Sequence, residues 1–234
     1  MKTINRMLPD WLYDHEYGMV RPGPRSVATA GLVIGARANL LRRKRWKGWK
    51  KRFSPLRIHL GCGAKYVPGW VNIDINPLRR VDLWLDITAP LPFEENEVQA
   101  IASFHVLEHL DPREAHQMLA ECQRVLQPGG LFRVGVPSLE MAIEAYNRDD
   151  WKVYKSMTLS ASSPGGKFNQ TILYHGQHKQ AYDFRYLAEL LKAVGFRTVQ
   201  RVDGWESTML SRDDLEKMQI DSAVEYSLVA EACK

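Results

Sequence analysis

The sequence predicts an α/β sandwich: helices packed on a mostly parallel sheet that finishes in an antiparallel edge. Three observations lead there. Short β-rich runs alternate with an amphipathic helical stretch between residues 57 and 137, a second helical stretch ends at Gly195, and two more β-rich runs follow it. With 234 residues, 45% of them hydrophobic and 25% charged, the chain can bury one sizeable core.

In chain order, "RPGP" at 21–24 closes an irregular leader, and residues 26–53 read as a helix that is apolar in its first half and basic in its second. Ser54 and Pro55 stop it. Residues 1–55 are thus expected to be a leader with a basic amphipathic helix, and 56–234 the folded domain. The strands are expected at "RIHL", "WVNIDI", "DLWLD", "VQAIASF" and "LFRVGVP". Between the last two, Asp111 is placed as an N-cap with Pro112 at the first helical position. Apolar residues at 115, 118, 119, 122, 125 and 126 give helical spacing, and "QPGG" ends the helix. Residues 138–180 form a mixed insertion, and "YDFRYLAELLKAVGF" resumes a helix. "RTVQRVD" and "VEYSLVAEAC" supply the final strand pair.

Charge is uneven. Residues 42–52, "RRKRWKGWKKR", hold eight of the 32 Lys and Arg and no acid, so the rest carries 24 basic against 27 acidic side chains, a net of −3. A polyanion would therefore meet the arm and not the body. Trp46 and Trp49 beside lysines, with an apolar run upstream, favour an anionic membrane surface over nucleic acid. That apolar run, "VATAGLVIGA", is too short to span a bilayer, and its positive charges lie on the wrong side for a signal peptide. Three cysteines without metal-type spacing predict neither disulfides nor a zinc site. A cytoplasmic protein is expected, with peripheral contact to the inner membrane surface; nothing specifies an oligomeric state.

The chemistry is expected at the carboxyl ends of the strands, where open α/β sheets bind ligands. "RIHL" runs into Gly61, Cys62 and Gly63, and glycines there let the backbone approach a ligand closely. Asp74, ending the next strand, can accept hydrogen bonds from two ribose hydroxyls. Asp86, ending the third, can receive an adenine amino group, and "ASFHVLEHL" brings His105 to the tip of the fourth. Together these suggest a nucleoside. A nicotinamide dinucleotide fits poorly, because Tyr66 stands where GxGxxG needs its third glycine.

"LGCG", "NID", "LDITAPLPFEENEVQAIASFHVLEHL", "RVLQPGGLFRVGVPS" and "LLKAVGF" resemble the class I S-adenosylmethionine-dependent methyltransferases over residues 57–234, and most closely the small-molecule, type 11-like branch. The resemblance implies a Rossmann-like three-layer sandwich with a seven-stranded sheet in the order 3-2-1-4-5-7-6, the seventh strand antiparallel. It implies S-adenosylmethionine as cofactor, held by Gly61, Cys62, Gly63, Asp74, Ile75, Asp86, Ile87 and His105. In two places the chain departs from the pattern. His59 stands where the family usually has an acidic residue that holds the methionine end, and Lys65 replaces a third glycine, where it could meet the carboxylate instead. "AKYVPGW" also leaves room only for a loop or one helical turn between the first two strands.

Methyl transfer from a sulfonium is an in-line displacement, so alignment dominates and a base is needed only for a tightly held proton. His105 is the expected catalytic residue, with His178 and Tyr182 facing the acceptor from the segment before the late helix. Glu108 and His109 are expected to hold the loop after the fourth strand. His175 and His178 are three apart, but Gly176 weakens a helix there and no third ligand lies nearby in sequence, so no metal is expected. Cys62 is expected to pack inward, and Tyr146, Trp151 and Tyr154 to form either an acceptor lid or a small hydrophobic cap. The expected reaction is O-methylation of a small molecule or a lipid-linked sugar. The rival readings are RNA methylation guided by the basic arm and a catalytically silent binding protein on the same fold.

Overall fold

The computed structural model describes residues 52–234 except positions 77, 158, 219 and 220, together with a short antiparallel pair, Tyr13–Asp14 with Met19–Val20. The helix expected over 26–53 and the basic arm at 42–52 lie, but for their last residues, outside the described residues. Seven strands form the main sheet: β1 (Arg57–Leu60), β2 (Val71–Asp74), β3 (Leu83–Trp84), β4 (Val98–Phe104), β5 (Leu126–Pro137), β6 (Thr198–Val202) and β7 (Ser227–Cys233). Their order is β3-β2-β1-β4-β5-β7-β6. The first five are parallel, and β7 runs antiparallel between β5 and β6, with Arg133 opposite Glu231 and Val199 opposite Ala232. This is the expected order.

β1 and β4 are buried without alternation over Ile58–Leu60 and Ala100–Ser103, because both sheet faces are covered. On one face, α1 (Pro112–Val125) buries Ala115, Met118, Leu119, Cys122 and Val125. Its start is set by a reciprocal cap: Asp111 accepts from Arg113 N and Glu114 N, while Glu114 accepts from Asp111 N. The later α4 (Phe184–Ala193), capped by Asp183, packs Leu187 and Leu191 into the same core. On the other face, α5 (Arg212–Met218) lays Leu215 and Met218 against Val67, Trp70, Ala100, Ala102 and Leu131.

The shortened crossover between β1 and β2 contains turns and no helix. Its backbone is tied down by one buried side chain. Asn72 accepts from Val67 N at 2.8 Å and donates to the carbonyls of Val67 and Trp70, both at 2.9 Å. The Trp70 indole donates to Asp214 of α5 at 2.9 Å, which anchors the loop to the helix beneath. Polar ties thus replace the packing a crossover helix would have supplied.

The 138–180 insertion contains α2 (Leu139–Arg148) and α3 (Pro164–Leu173) with short 3₁₀ turns around them. It has its own cluster, in which Ala142, Ala145 and Tyr154 pack with Trp151, Phe168, Ile172 and Tyr226. It sits beside the sheet as a cap, and Met157, Thr171 and Tyr174 from it reach the cavity described next. The remaining short helix, α6 (Asp221–Val224), lies just before β7, which starts at Ser227, three residues after the expected start of its run at Val224. No helix among the described residues is long and apolar enough to cross a membrane.

Candidate active site

The order of strands reverses at β1, which has β2 on one side and β4 on the other, so their carboxyl ends diverge and leave a crevice. A cavity of about 440 Å³ opens there, within the size range of small-molecule sites. Gly61 has φ +70°, and a Cβ on it would stand 2.3 Å from Val106 Cγ2, so only glycine fits this turn. Gly61 N and Cys62 N both donate to Ile73 O, joining the turn to the end of β2. Gly63, at φ +51°, faces open space where a side chain would be.

Asp74 accepts from Gly63 N at 2.7 Å and from Asn76 N at 2.8 Å, so this carboxylate holds the glycine turn as well as lining the cavity. Asp86 spends one oxygen on the Thr88 amide and hydroxyl and borders the same space. Ile75 and Ile87 also line it. Cys62 is buried, and burial foremost, with Asp74 nearby, pushes its thiol up to about 12, which excludes a thiolate nucleophile at neutral pH.

His105 occupies the left-handed region at φ +54°, a conformation that for a residue other than glycine points to an imposed role. It ends β4 and turns its ring into the cavity. Its Nε2 lies 2.9 Å from Ser227 Oγ, whose own proton goes to Ala223 O at 2.6 Å; Nε2 must therefore be the donor. Nδ1 is left 3.3 Å from Glu108 Oε1.

Glu108 is buried, yet its carboxyl is held below the ordinary range: burial alone would raise it, but His105, His109 and His178 around it outweigh that. His178 lines the cavity and donates from Nδ1 to Ile172 O at 3.0 Å. Burial lowers it to about 4, so its imidazole is neutral at neutral pH.

The structure brings Gly61, Cys62, Gly63, Asp74, Ile75, Asp86, Ile87, His105 and His178 to one cavity. It takes Tyr182 out. That side chain is fully buried, stacks on Tyr186 and donates to Leu107 O at 3.3 Å, so it positions the turn after β4 and touches no acceptor. Glu108 and His109, expected only to hold a loop, line the cavity themselves. "HVLEH" carried the signal, but the pairing with His178 depends on the distant "HGQHK" loop folding back: Lys179 N and Gln180 N both donate to Glu108 O.

A methyltransferase-domain family model matches residues 59–134, the stretch from β1 to β5 that builds most of this crevice. Over that stretch the chain is similar to methyltransferase domains. A probable S-adenosylmethionine-dependent methyltransferase of Mycolicibacterium smegmatis is 41% identical over 59 residues, which is 25% of this chain and 22% of that protein, so the match spans about a fifth of the relative's length. Among solved structures, a methyltransferase from Archaeoglobus fulgidus is 15% identical with a TM-score of 0.48 over 83% of this chain and 93% of its own. A phosphoethanolamine N-methyltransferase of Haemonchus contortus, solved with S-adenosyl-L-methionine, is 13% identical with a TM-score of 0.45 over 96% of this chain and 55% of its own.

The site fits S-adenosylmethionine. The glycine turn offers close backbone approach, the carboxylates of Asp74 and Asp86 flank one cavity, and Ile75 and Ile87 give apolar walls for a flat base. At the methionine end the family's acidic residue is replaced by His59, which is buried with Nδ1 lacking a hydrogen-bond partner. Burial lowers His59 from 6.5 to about 4. The unfolded chain therefore binds this proton more readily than the folded one. Stability from His59 is complete above pH 6.5 and is lost as pH falls towards 4, at about 1.4 kcal/mol per pH unit. Urea titrations of wild type should show about 2 kcal/mol less stability at pH 5 than at pH 6.5 from this group, and His59→Gln should flatten that slope. An unaltered slope in the variant would reject the assignment.

Proposed function

We propose that this methyltransferase domain methylates a hydroxyl of a small-molecule or sugar acceptor, with His105 taking the hydroxyl proton. The supporting observation is that His105 stands at the tip of β4 in the same cavity as the adenosine-type carboxylates. S-adenosylmethionine, when bound, supplies an electrophilic methyl group and leaves as S-adenosylhomocysteine. Gly61, Gly63, Asp74 and Asp86 hold the nucleoside. His105 accepts the acceptor proton at Nδ1, where Glu108 at 3.3 Å stabilises the imidazolium, while Ser227 fixes the ring through Nε2. Met157, Tyr174 and Tyr226 from the cap side wall the acceptor space and keep water from the reacting groups.

The test begins with mass spectrometry of the purified full chain for co-purifying S-adenosylmethionine or S-adenosylhomocysteine. Transfer of labelled methyl to a panel of hydroxyl compounds, including lipid-linked sugars, follows. His105→Ala should lower turnover by roughly 10²-fold or more with nearly unchanged cofactor affinity, as expected for a lost general base. Label appearing in RNA and in no small hydroxyl acceptor would overturn this reading.

A further inference from the structure

Glu108, His109 and His178 place one ligand atom each within 4.8 Å of one another, at the edge of the cavity. The Glu108 side chain is 1% exposed, and apart from His105 Nδ1, 3.3 Å from Oε1, its carboxylate oxygens have no hydrogen-bond partner. A buried carboxylate in that condition is costly unless a cation answers it.

His109 and His178 are arranged so that they do not answer it as donors. His109 Nδ1 faces Gln177 O at 3.2 Å and His178 Nδ1 faces Ile172 O at 3.0 Å. A carbonyl only accepts, so Nδ1 carries the proton in each ring, and in the neutral ring Nε2 is a bare lone pair. His109 Nε2 lies 3.9 Å from Glu108 Oε1. Backbone carbonyls that fix Nδ1–H and leave Nε2 to ligate are the usual outer support of a metal-bound histidine.

The frame around the group is firm. Gln180 Nε2 donates to Leu110 O at 2.9 Å and Tyr182 to Leu107 O, so the loop carrying His178 is tied to the turn carrying Glu108 and His109.

We propose that Glu108, His109 and His178 bind one divalent first-row transition-metal ion, such as Zn²⁺ or Mn²⁺, on the acceptor side of the cavity. Two imidazoles and a carboxylate suit such ions and leave positions open. Ligands bonded at about 2.1 Å stand about 3–3.5 Å apart, so the side chains must close by about 1 Å. An open position facing the cavity takes an oxygen of the acceptor and lowers the pKa of its hydroxyl. This last role rests on the hydroxyl-methylation reading; the binding of the ion does not.

The experiment strips the full chain with a chelator and titrates it with Zn²⁺ alone and with Mn²⁺ alone by calorimetry, and with Co²⁺ while following visible absorption. One equivalent per chain is expected, with a Co²⁺ spectrum showing nitrogen and oxygen ligation and a rise in thermal midpoint. Glu108→Gln and His178→Gln should each weaken binding at least tenfold and abolish that rise; His175→Ala, an exposed neighbour, should change neither. If Glu108→Gln does not fold, His178→Gln and His109→Gln carry the test. Absence of saturable binding, or equal binding by wild type and His178→Gln, overturns the proposal. A chain that holds S-adenosylmethionine and methylates hydroxyls but takes up no ion refutes the metal alone. A chain that takes up the ion but transfers no methyl group refutes the function alone.

Discussion

Asp74→Ala is expected to weaken binding of S-adenosylhomocysteine by roughly 100-fold. Asp74 makes charge-assisted hydrogen bonds to Gly63 N and Asn76 N and lines the cavity at the place expected for the ribose. Losing it removes the ribose acceptor and also frees the glycine turn that must lie against the ligand. With charged hydrogen bonds worth about 1.5–3 kcal/mol each, a loss near 3 kcal/mol corresponds to that factor. Asp74→Asn keeps one acceptor oxygen and should fall between the two. Calorimetric titration reads the affinities, and thermal unfolding confirms that each variant is folded. A loss below threefold for the alanine variant would refute the role given to this carboxylate.

The largest effect on stability is expected at Arg133→Met, about 3–5 kcal/mol, because it leaves Glu231 charged and buried. Arg133 on β5 and Glu231 on β7 are 0% and 1% exposed and meet at 2.8 Å. Arg133 also donates to the carbonyls of Asp203, Gly204 and Glu206. Glu231 accepts from Ser207 and Thr208, and those bonds with Arg133 hold its carboxyl below the ordinary range although burial opposes this. The pair therefore pins the segment between β6 and α5 against the sheet. Because the folded pKa of Glu231 is depressed, its contribution is present above about pH 4.5 and fades as acid protonates it. Pairing Arg133→Met with Glu231→Leu should recover much of the loss, since a buried ion pair replaced by apolar groups is often near neutral. Denaturant midpoints measure all three chains, and a single-variant loss under 1 kcal/mol would contradict the account.

Much of the frame was legible because it rests on local rules. The Asp111–Pro112 start of α1, its apolar spacing, the Gly195 stop and the β-rich runs of β1 and β4 are each set by neighbouring residues, and all appear in the structure. The boundaries moved where pairing competes with propensity. β5 begins at Leu126, five residues before the expected run, because Leu126 already pairs with Val98 of β4, ahead of "QPGG". β7 begins at Ser227, three residues after its expected run starts at Val224, the last residue of α6.

Within the site, the glycine turn and the carboxylates of Asp74 and Asp86 could be read because each sits at the end of a recognisable strand. Tyr182 could not be placed. A tyrosine before a helix reads alike whether its hydroxyl faces a ligand or, as here, donates to the Leu107 carbonyl from a buried position.

From the sequence alone follow the alternation of strands and helices, the turn that needs glycine at 61, and the carboxylates at the strand ends that line the crevice, since these depend on residues close together in the chain. Only the tertiary structure decided that Glu108 sits buried and that His109 and His178 each bring a ring nitrogen to it within 4.8 Å. The physical reason is distance along the chain: the Glu108 turn and the His178 loop meet through long-range backbone hydrogen bonds, and neither segment's composition records the other.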